Sequence, residues 1–194
     1  FLLDIYHWGL SYLGAVFYGF PSKKLIIIGV TGTKGKTSTA YFIWRALNSA
    51  GMKTGMIGTI SICIGNEEKI NNFHMTMPGR FIIQKNLKKM LGGGCLAAVI
   101  ETTSEGIKQW RHKGIIYDIA VFTNLTPEHI PSHGSFENYR AMKQKVFKEL
   151  SSSFRKTISA RKIPKIIIVN IDSPEAPHFL KFLADQKITF GLSR

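Results

Sequence analysis

Cysteine is nearly absent from this chain. Two residues, Cys63 and Cys95, rule out a disulfide framework and a cysteine-rich zinc site. Both lie in apolar stretches, as buried thiols of a reducing, cytoplasmic compartment do. Acidic residues are also scarce: 12 Asp and Glu face 26 Lys and Arg, a formal charge of +14. That imbalance points to polyanionic partners, namely nucleotide phosphates, nucleic acid or a membrane surface. Internal repeats and low-complexity linkers are missing. So is an unbroken apolar run of spanning length. The opening FLLDIYHWGLSYLGAVFYGF is interrupted by Asp4, His7 and three glycines. With no basic stretch before it and no small-residue cleavage site after it, a secretory signal does not fit. Residues 1–20 read as an apolar helix docked on the domain or on a neighbouring one. Peripheral membrane contact is the alternative, favoured by the aromatics and by Lys23 and Lys24. The chain opens on Phe1 rather than Met, which suggests a piece of something longer.

What is present is one domain's worth of ordinary globular sequence, 194 residues and 44% hydrophobic, which excludes a disordered or collagen-like chain. Residues 21–194 alternate strand and helix patterns. Lys24–Val30 is a β-branched run bounded by Pro21 and Gly32. Thr37–Ala50 is a helix with Ile43, Ala46, Leu47 and Ala50 on one face and Gly51 as its stop. Thr54–Ile64 reads as a strand, with a turn at Gly65-Asn66 before the polar Glu67–Asn72. Arg80–Leu91 has helical spacing and runs into Gly92, Gly93 and Gly94. Leu96–Glu101, Asp118–Asn124 and Lys165–Asn170 are further buried-type strands. Ser104–Gly114, Phe136–Leu150 and Pro174–Gln186 are helical, and Ile188–Phe190 is strand-like. Continuous apolar strands separated by helices predict an α/β, three-layer domain with a mostly parallel sheet.

The charge is concentrated between Arg140 and Lys165, where nine basic residues meet one acid, Glu149. That run reads as a solvated helix face followed by a basic loop, with Ser151–Ser153 at the break. Nucleic-acid binding is the rival, but only Phe147 and Phe154 interleave with the charges, too few for a base-stacking platform.

The strongest motif is Gly32-Thr33-Lys34-Gly35-Lys36-Thr37-Ser38, between a strand and a helix. Such a loop turns its N–H groups onto phosphate oxygens, and the helix N-terminus adds partial positive charge. Lys36 can neutralise the outer phosphates, and the Thr37 hydroxyl can ligate Mg²⁺. The longer phosphate-loop spacing would need glycine where this chain has Val30, so the motif is the shorter G-x-x-G-K-T form. Two strand ends converge on it, one closing in Glu101 and the other in Thr123-Asn124 with His129 shortly after. In a doubly wound sheet these ends share one edge, so Glu101 and His129 can both reach a metal at the phosphates. From spacing alone each also reads as a bland strand-end or loop residue.

VTGTKGKTS, ETTSEGIKQWR and FTNLTPEHIPSHGSFENYRAMKQKVF, with MIGT at Met56–Thr59 and VNID at Val169–Asp172, together resemble the Mur ligase family, most of all its MurE-type members. The resemblance covers about Lys24 to Asp172 and implies an ATP-dependent ligase of peptidoglycan-precursor synthesis. Such ligases phosphorylate a substrate carboxylate and let an amino-acid amine attack the acyl phosphate. By position it assigns Gly32–Ser38 to ATP and Thr37, Glu101 and His129 to metal. It assigns Thr76, Thr103, Gln109 and Arg111 to the UDP-muramoyl-peptide. Lys143 matches the lysine the family carbamylates with CO₂; without the resemblance it is one more solvated helix lysine. Lys36, His129 and Lys143 become the catalytic candidates, with ATP, Mg²⁺ and the carbamate as cofactors. Met77 departs by replacing a hydroxyl residue, Glu105 by standing where these chains usually carry His, and Glu128 and Pro131 by altering the pattern around His129. The flanking domains of the family are not in this stretch, so the central domain looks truncated. Ligation is expected to need the missing domains or a partner subunit, while ATP binding is not. A folylpolyglutamate synthase-like ligase or a non-catalytic ATP-binding subunit is the alternative.

Overall fold

The computed structural model describes residues 2–128 and 130–192. The elements are α1 (Leu2–Phe17), a 3₁₀ turn (Pro21–Lys24), β1 (Ile26–Thr31), α2 (Lys36–Ser49), β2 (Thr54–Ile57), β3 (Ser61–Ile64), β4 (Glu67–Ile70), α3 (Arg80–Gly92) and β5 (Ala97–Glu101). They continue with α4 (Ser104–Lys108), β6 (Ile119–Phe122), α5 (Ile130–His133), α6 (Phe136–Ser152), β7 (Thr157–Ile158), β8 (Arg161–Lys162), β9 (Ile166–Asn170), α7 (Ala176–Leu180) and β10 (Gln186–Phe190). Among the described residues eight strands form one sheet in the order β10-β9-β6-β1-β5-β2-β3-β4. The six from β10 to β2 run parallel, and β3 and β4 add an antiparallel hairpin. The three-layer, mostly parallel α/β architecture expected from the sequence is therefore what forms.

Alternation along β1 sorts the core. Ile27 joins Ile83, Leu87, Phe147 and Phe179 on the face covered by α3, α6 and α7, while Ile28 and Val30 join Ala40, Trp44 and Met56 under α2. The buried face of α2 is rotated from the one its apolar spacing suggested, keeping Ile43 and Leu47 at its margin. Ala40 and Trp44 are buried, whereas Ala46 and Ala50 are exposed. Trp44 decides this, because its indole N–H donates to both Thr54 O (3.1 Å) and Gly65 O (2.9 Å), fixing the helix to β2 and to the hairpin turn.

Three other elements differ from expectation. Thr54–Ile64 is two strands rather than one, with the chain reversing at Gly58–Ile60 so that Met56 pairs with Cys63. The Ser104–Gly114 segment is helical only to Lys108 and then turns, and the Pro174–Gln186 segment only over Ala176–Leu180. The basic run is a solvated face only in part: Lys148, Arg155, Arg161 and Lys162 are exposed, but Lys143, Lys156 and Lys165 are each 2% exposed. Lys156 and Lys165 converge on buried Asp118 at the N-terminal edge of the sheet, at 2.5 Å from Oδ2 and 3.1 Å from Oδ1. Asp118 Oδ2 also accepts from the backbone N–H of Ile27 (2.9 Å), so the starts of β1, β6 and β9 are tied to one carboxylate. Cys63 and Cys95 are buried free thiols, and burial pushes Cys63 up to about 11. Among the described residues, no helix is long and apolar enough to cross a membrane.

Candidate active site

β1 lies at the switch point of the sheet, with β5 on one side and β6 on the other, and the loop leaving its C-terminal end opens α2. Val30 pairs with Glu101 and Thr31 with Phe122, so Glu101 and Thr123-Asn124 meet the loop at one edge. The loop backbone has two special positions. Gly35 has φ 78°, where a side chain is strained, and a Cβ on Gly32 would lie 1.9 Å from Thr123 Oγ1, which excludes one there. Thr123 Oγ1 donates to Lys34 O (2.7 Å), while Asn124 Oδ1 accepts from the Lys34 N–H (2.9 Å). The loop is thus held from outside, leaving its inner N–H groups for an anion.

Lys36 and Lys143 share that interior. Lys36 Nζ donates to Gly32 O (3.0 Å) and Thr33 O (2.8 Å), and Lys143 Nζ donates to the same Gly32 O (2.7 Å). Burial lowers the Lys36 pKa, opposed by Glu101 and Glu128. Burial, together with the neighbouring charge of Lys36, brings Lys143 down to about 7. Among the described residues neither lysine has a carboxylate within ion-pair distance. α6 carries Lys143 inward because Tyr139, one turn earlier, packs its ring 4.6 Å below the ammonium and meets Thr33 Oγ1 with its hydroxyl (3.2 Å).

Glu101 is fully buried and holds hydroxyls rather than cations. Its Oε2 accepts from Thr37 Oγ1 and Thr59 Oγ1, both at 3.0 Å, and its Oε1 from the Thr59 N–H (2.9 Å). One buried carboxylate beside a phosphate-loop hydroxyl fits Mg²⁺, which takes one or two protein oxygens and completes its shell with phosphate and water. No cluster of three acidic, His or Cys ligands occurs among the described residues. His129 falls outside the described residues.

The substrate-side candidates lie close by. Arg111 donates to Gln109 Oε1 through Nη2 (2.7 Å) and to Met77 O through Nη1. Burial, with Arg80 nearby, lowers the Arg111 pKa. Thr76 Oγ1 lies 2.9 Å from Thr59 Oγ1, so hydroxyls link Thr37, through Glu101 and Thr59, to Thr76. Thr103 is less available, since its hydroxyl caps α4 by accepting from Gly106 N (3.1 Å). Thr33, Lys36, Lys143, Thr76, Thr103, Gln109 and Arg111 all line one cavity of about 400 Å³. Thr59 and Tyr139 lie in segments that carry the resemblance but were given no site role from sequence. Thr59 was hidden because the strand pattern ran through the Gly58 reversal, and Tyr139 because a helix tyrosine carries no signal of the loop it supports.

A family model described as the Mur ligase middle domain matches residues 30–194. UDP-N-acetylmuramoyl-L-alanyl-D-glutamate--2,6-diaminopimelate ligase of Bacillus velezensis is 39% identical over 184 residues, 94% of this chain and 36% of that protein. UDP-N-acetylmuramyl-tripeptide synthetase of Roseiflexus is 40% identical over 88% of this chain and 34% of its own length. The chain thus spans about a third of the curated relatives it matches. A solved UDP-N-acetylmuramoyl-L-alanyl-D-glutamate--2,6-diaminopimelate ligase superposes with TM-score 0.75 at 25% identity, over 98% of this chain and 37% of that one. Folylpolyglutamate synthase of Mycobacterium tuberculosis, solved with ADP, shares the fold at TM-score 0.67 and 14% identity, over 96% of this chain and 48% of its own.

Proposed function

The chain belongs to the Mur ligase family through its middle domain, and from that premise we propose that it is the phosphoryl-transfer module of an ATP-dependent ligase adding an amino acid to a UDP-muramoyl-peptide. The observation that carries this is the shared cavity: phosphate-loop residues Thr33 and Lys36 form one part of its wall, and Gln109 and Arg111 another. A donor phosphoryl group and an acceptor carboxylate therefore need only one chamber. Arg111 suits a carboxylate because its planar fork matches two oxygens. When bound, ATP with Mg²⁺ supplies the phosphoryl group that makes the carboxylate a competent acyl donor.

The chain's own groups do the positioning. Loop N–H groups and Lys36 bind and orient phosphate oxygens, and Lys36 exchanges its contacts to Gly32 O and Thr33 O for that load. Thr37 and Glu101 would hold Mg²⁺, and Thr59 keeps the Glu101 carboxylate turned toward the loop. Lys143 is the residue for a CO₂-derived carbamate. Its amine, brought down to about 7, is substantially neutral at physiological pH, and adding CO₂ with loss of one proton yields an anionic oxygen donor. His129 is a further metal candidate. Closure over the reacting groups, and hence ligation, requires the remaining domains or a partner subunit.

The test is binding by the 194-residue chain. ATP·Mg²⁺ should raise its melting temperature, and UDP-N-acetylmuramoyl-dipeptide should bind wild type but not Arg111→Ala. With ¹³C-bicarbonate, a carbamate resonance should appear in wild type and be missing from Lys143→Ala. No ATP·Mg²⁺ shift, or preference for a folate over the muramoyl-peptide, would overturn this function.

A further inference from the structure

α1 is amphipathic the wrong way round for a helix buried in a core. The face it turns to the domain is small and polar. Ser11, Gly14 and Ala15 are buried, and His7 Nδ1 lies 2.5 Å from Arg80 Nη2. Asp4 accepts from the Trp110 indole (3.3 Å), so the helix's acid is directed at the domain. The outward face is apolar: Leu3 (71% exposed), Tyr6, Trp8, Tyr12, Leu13 and Phe17 (74%). At about 100° per residue these spread over more than half of the helix circumference.

Lysines lie beyond this face on two sides, Lys23 past Phe20 and Lys85 and Lys88 on α3 past Phe81. Trp8 stacks on Tyr12 (5.6 Å, 3°), Tyr12 meets Phe20 edge-on (5.6 Å), and the Lys23 ammonium lies 4.4 Å over the Phe20 ring. On the other side Phe17 touches Phe81 (6.2 Å), which opens an exposed stripe of α3 continuing through Lys85 and Lys88 at i+4 and i+7. An apolar, aromatic centre between lysine rims is the pattern of a surface that sinks its rings to headgroup depth while its ammonium groups meet anionic lipid. Tyr and Trp suit that depth because their polar tips stay hydrated there while their rings are buried. A second copy related by a two-fold axis would set like-charged rims against each other.

We propose that the outer face of α1, with Phe81 and the flanking lysines, docks this domain on an anionic lipid bilayer. The proposal does not depend on the ligase function. Flotation of the 194-residue chain with vesicles of phosphatidylcholine and phosphatidylglycerol (3:1), and with pure phosphatidylcholine, tests it. Binding should need the phosphatidylglycerol and fall about tenfold or more between 0.1 and 0.5 M NaCl as the lysine rims are screened. Trp8→Glu/Phe17→Glu, at exposed positions, should abolish flotation while keeping the wild-type melting temperature and response to ATP·Mg²⁺. Each of Lys23→Gln, Lys85→Gln and Lys88→Gln should weaken it about fivefold. No binding to the anionic vesicles overturns the proposal, as does binding that survives Trp8→Glu/Phe17→Glu. So does self-association that this variant dissolves without any vesicle binding, which would mark the face as an interface between copies.

Discussion

The two edges of the parallel sheet both bury lysine, and they treat it differently. At the N-terminal edge Lys156 and Lys165 share the buried carboxylate of Asp118, and Lys156 also donates to Leu25 O (2.8 Å) and Ile116 O (2.7 Å). At the C-terminal edge Lys36 and Lys143 contact carbonyl oxygens of the loop, and no carboxylate lies within 4 Å of either among the described residues. A buried ammonium without an anion is costly, so Lys36 makes sense where an anion arrives from outside, while Lys143 sheds the cost by giving up its proton near pH 7. The difference separates charge that holds the fold from charge kept ready for a ligand. It also explains why the carboxylate at this edge, Glu101, is surrounded by hydroxyl groups: it too is kept for a cation.

Breaking the paired edge should do the most damage. Asp118→Ala leaves Lys156 and Lys165 buried without an anion and removes the acceptor for the Ile27 N–H. Urea denaturation should show a loss of about 3–5 kcal/mol, the usual cost of removing one partner of a buried ion pair. A loss no larger than that of an exposed pair would mean the edge is not carrying the fold.

Supplying the missing anion at the other edge comes next. At a concentration about 100 times its Kd, ATP·Mg²⁺ should stabilise wild type by about 2.7 kcal/mol. For a domain of this size that corresponds to a rise in Tm on the order of 5–10 °C. Lys36→Ala should erase the shift. Glu101→Gln should keep binding to metal-free ATP but raise the Mg²⁺ requirement about tenfold.

The two edges were unequally legible in the sequence. The phosphate loop was readable because its residues are contiguous and its glycines answer to local backbone demands at Gly32 and Gly35. Glu101 was readable as a strand end because parallel strands finish at a common edge. The Asp118 cluster was not, since Asp118, Lys156 and Lys165 come from three segments joined only by the strand order, and lysines in a basic run look solvated. Lys143 failed for the same reason when taken alone and stood out only through the resemblance. The Thr54–Ile64 hairpin was missed because β-branched residues fill both strands and Gly58 gives little warning of the reversal. The outward apolar face of α1 was only half visible, because its composition did not say which side the domain would take.

Removing the uncompensated charge should sharpen the contrast. The Lys143 pKa falls from 10.5 to about 7 on folding. Below pH 7 both states are protonated and the native state carries the whole penalty. Between pH 7 and 10.5 the unfolded chain binds more protons, so stability attributable to this group rises with pH. In bicarbonate-free buffer Lys143→Met should therefore be more stable than wild type at pH 7, by on the order of 4 kcal/mol before the lost contact to Gly32 is counted. The advantage should vanish as pH approaches 10.5. A destabilised variant at pH 7 would show that the carbonyl contact to Gly32 outweighs the desolvation of the ammonium.

The smallest expected effect separates the edges by location rather than by charge. Ser135 caps α6, its hydroxyl accepting from Asn138 N (3.1 Å). Ser135→Ala should cost about 1 kcal/mol, the typical value of a lost N-cap. That first turn leads directly into Tyr139, which supports Thr33 and Lys143, while the helix has no part in the hydrogen bonds that hold Asp118. Hydrogen exchange should therefore quicken about fivefold in the amides at 138–143 and stay unchanged in those flanking Asp118. The ATP·Mg²⁺ shift should shrink slightly, because the loop loses part of its support. Equal acceleration at both edges would mean that the sheet opens as one unit and that the nucleotide edge has no local flexibility of its own.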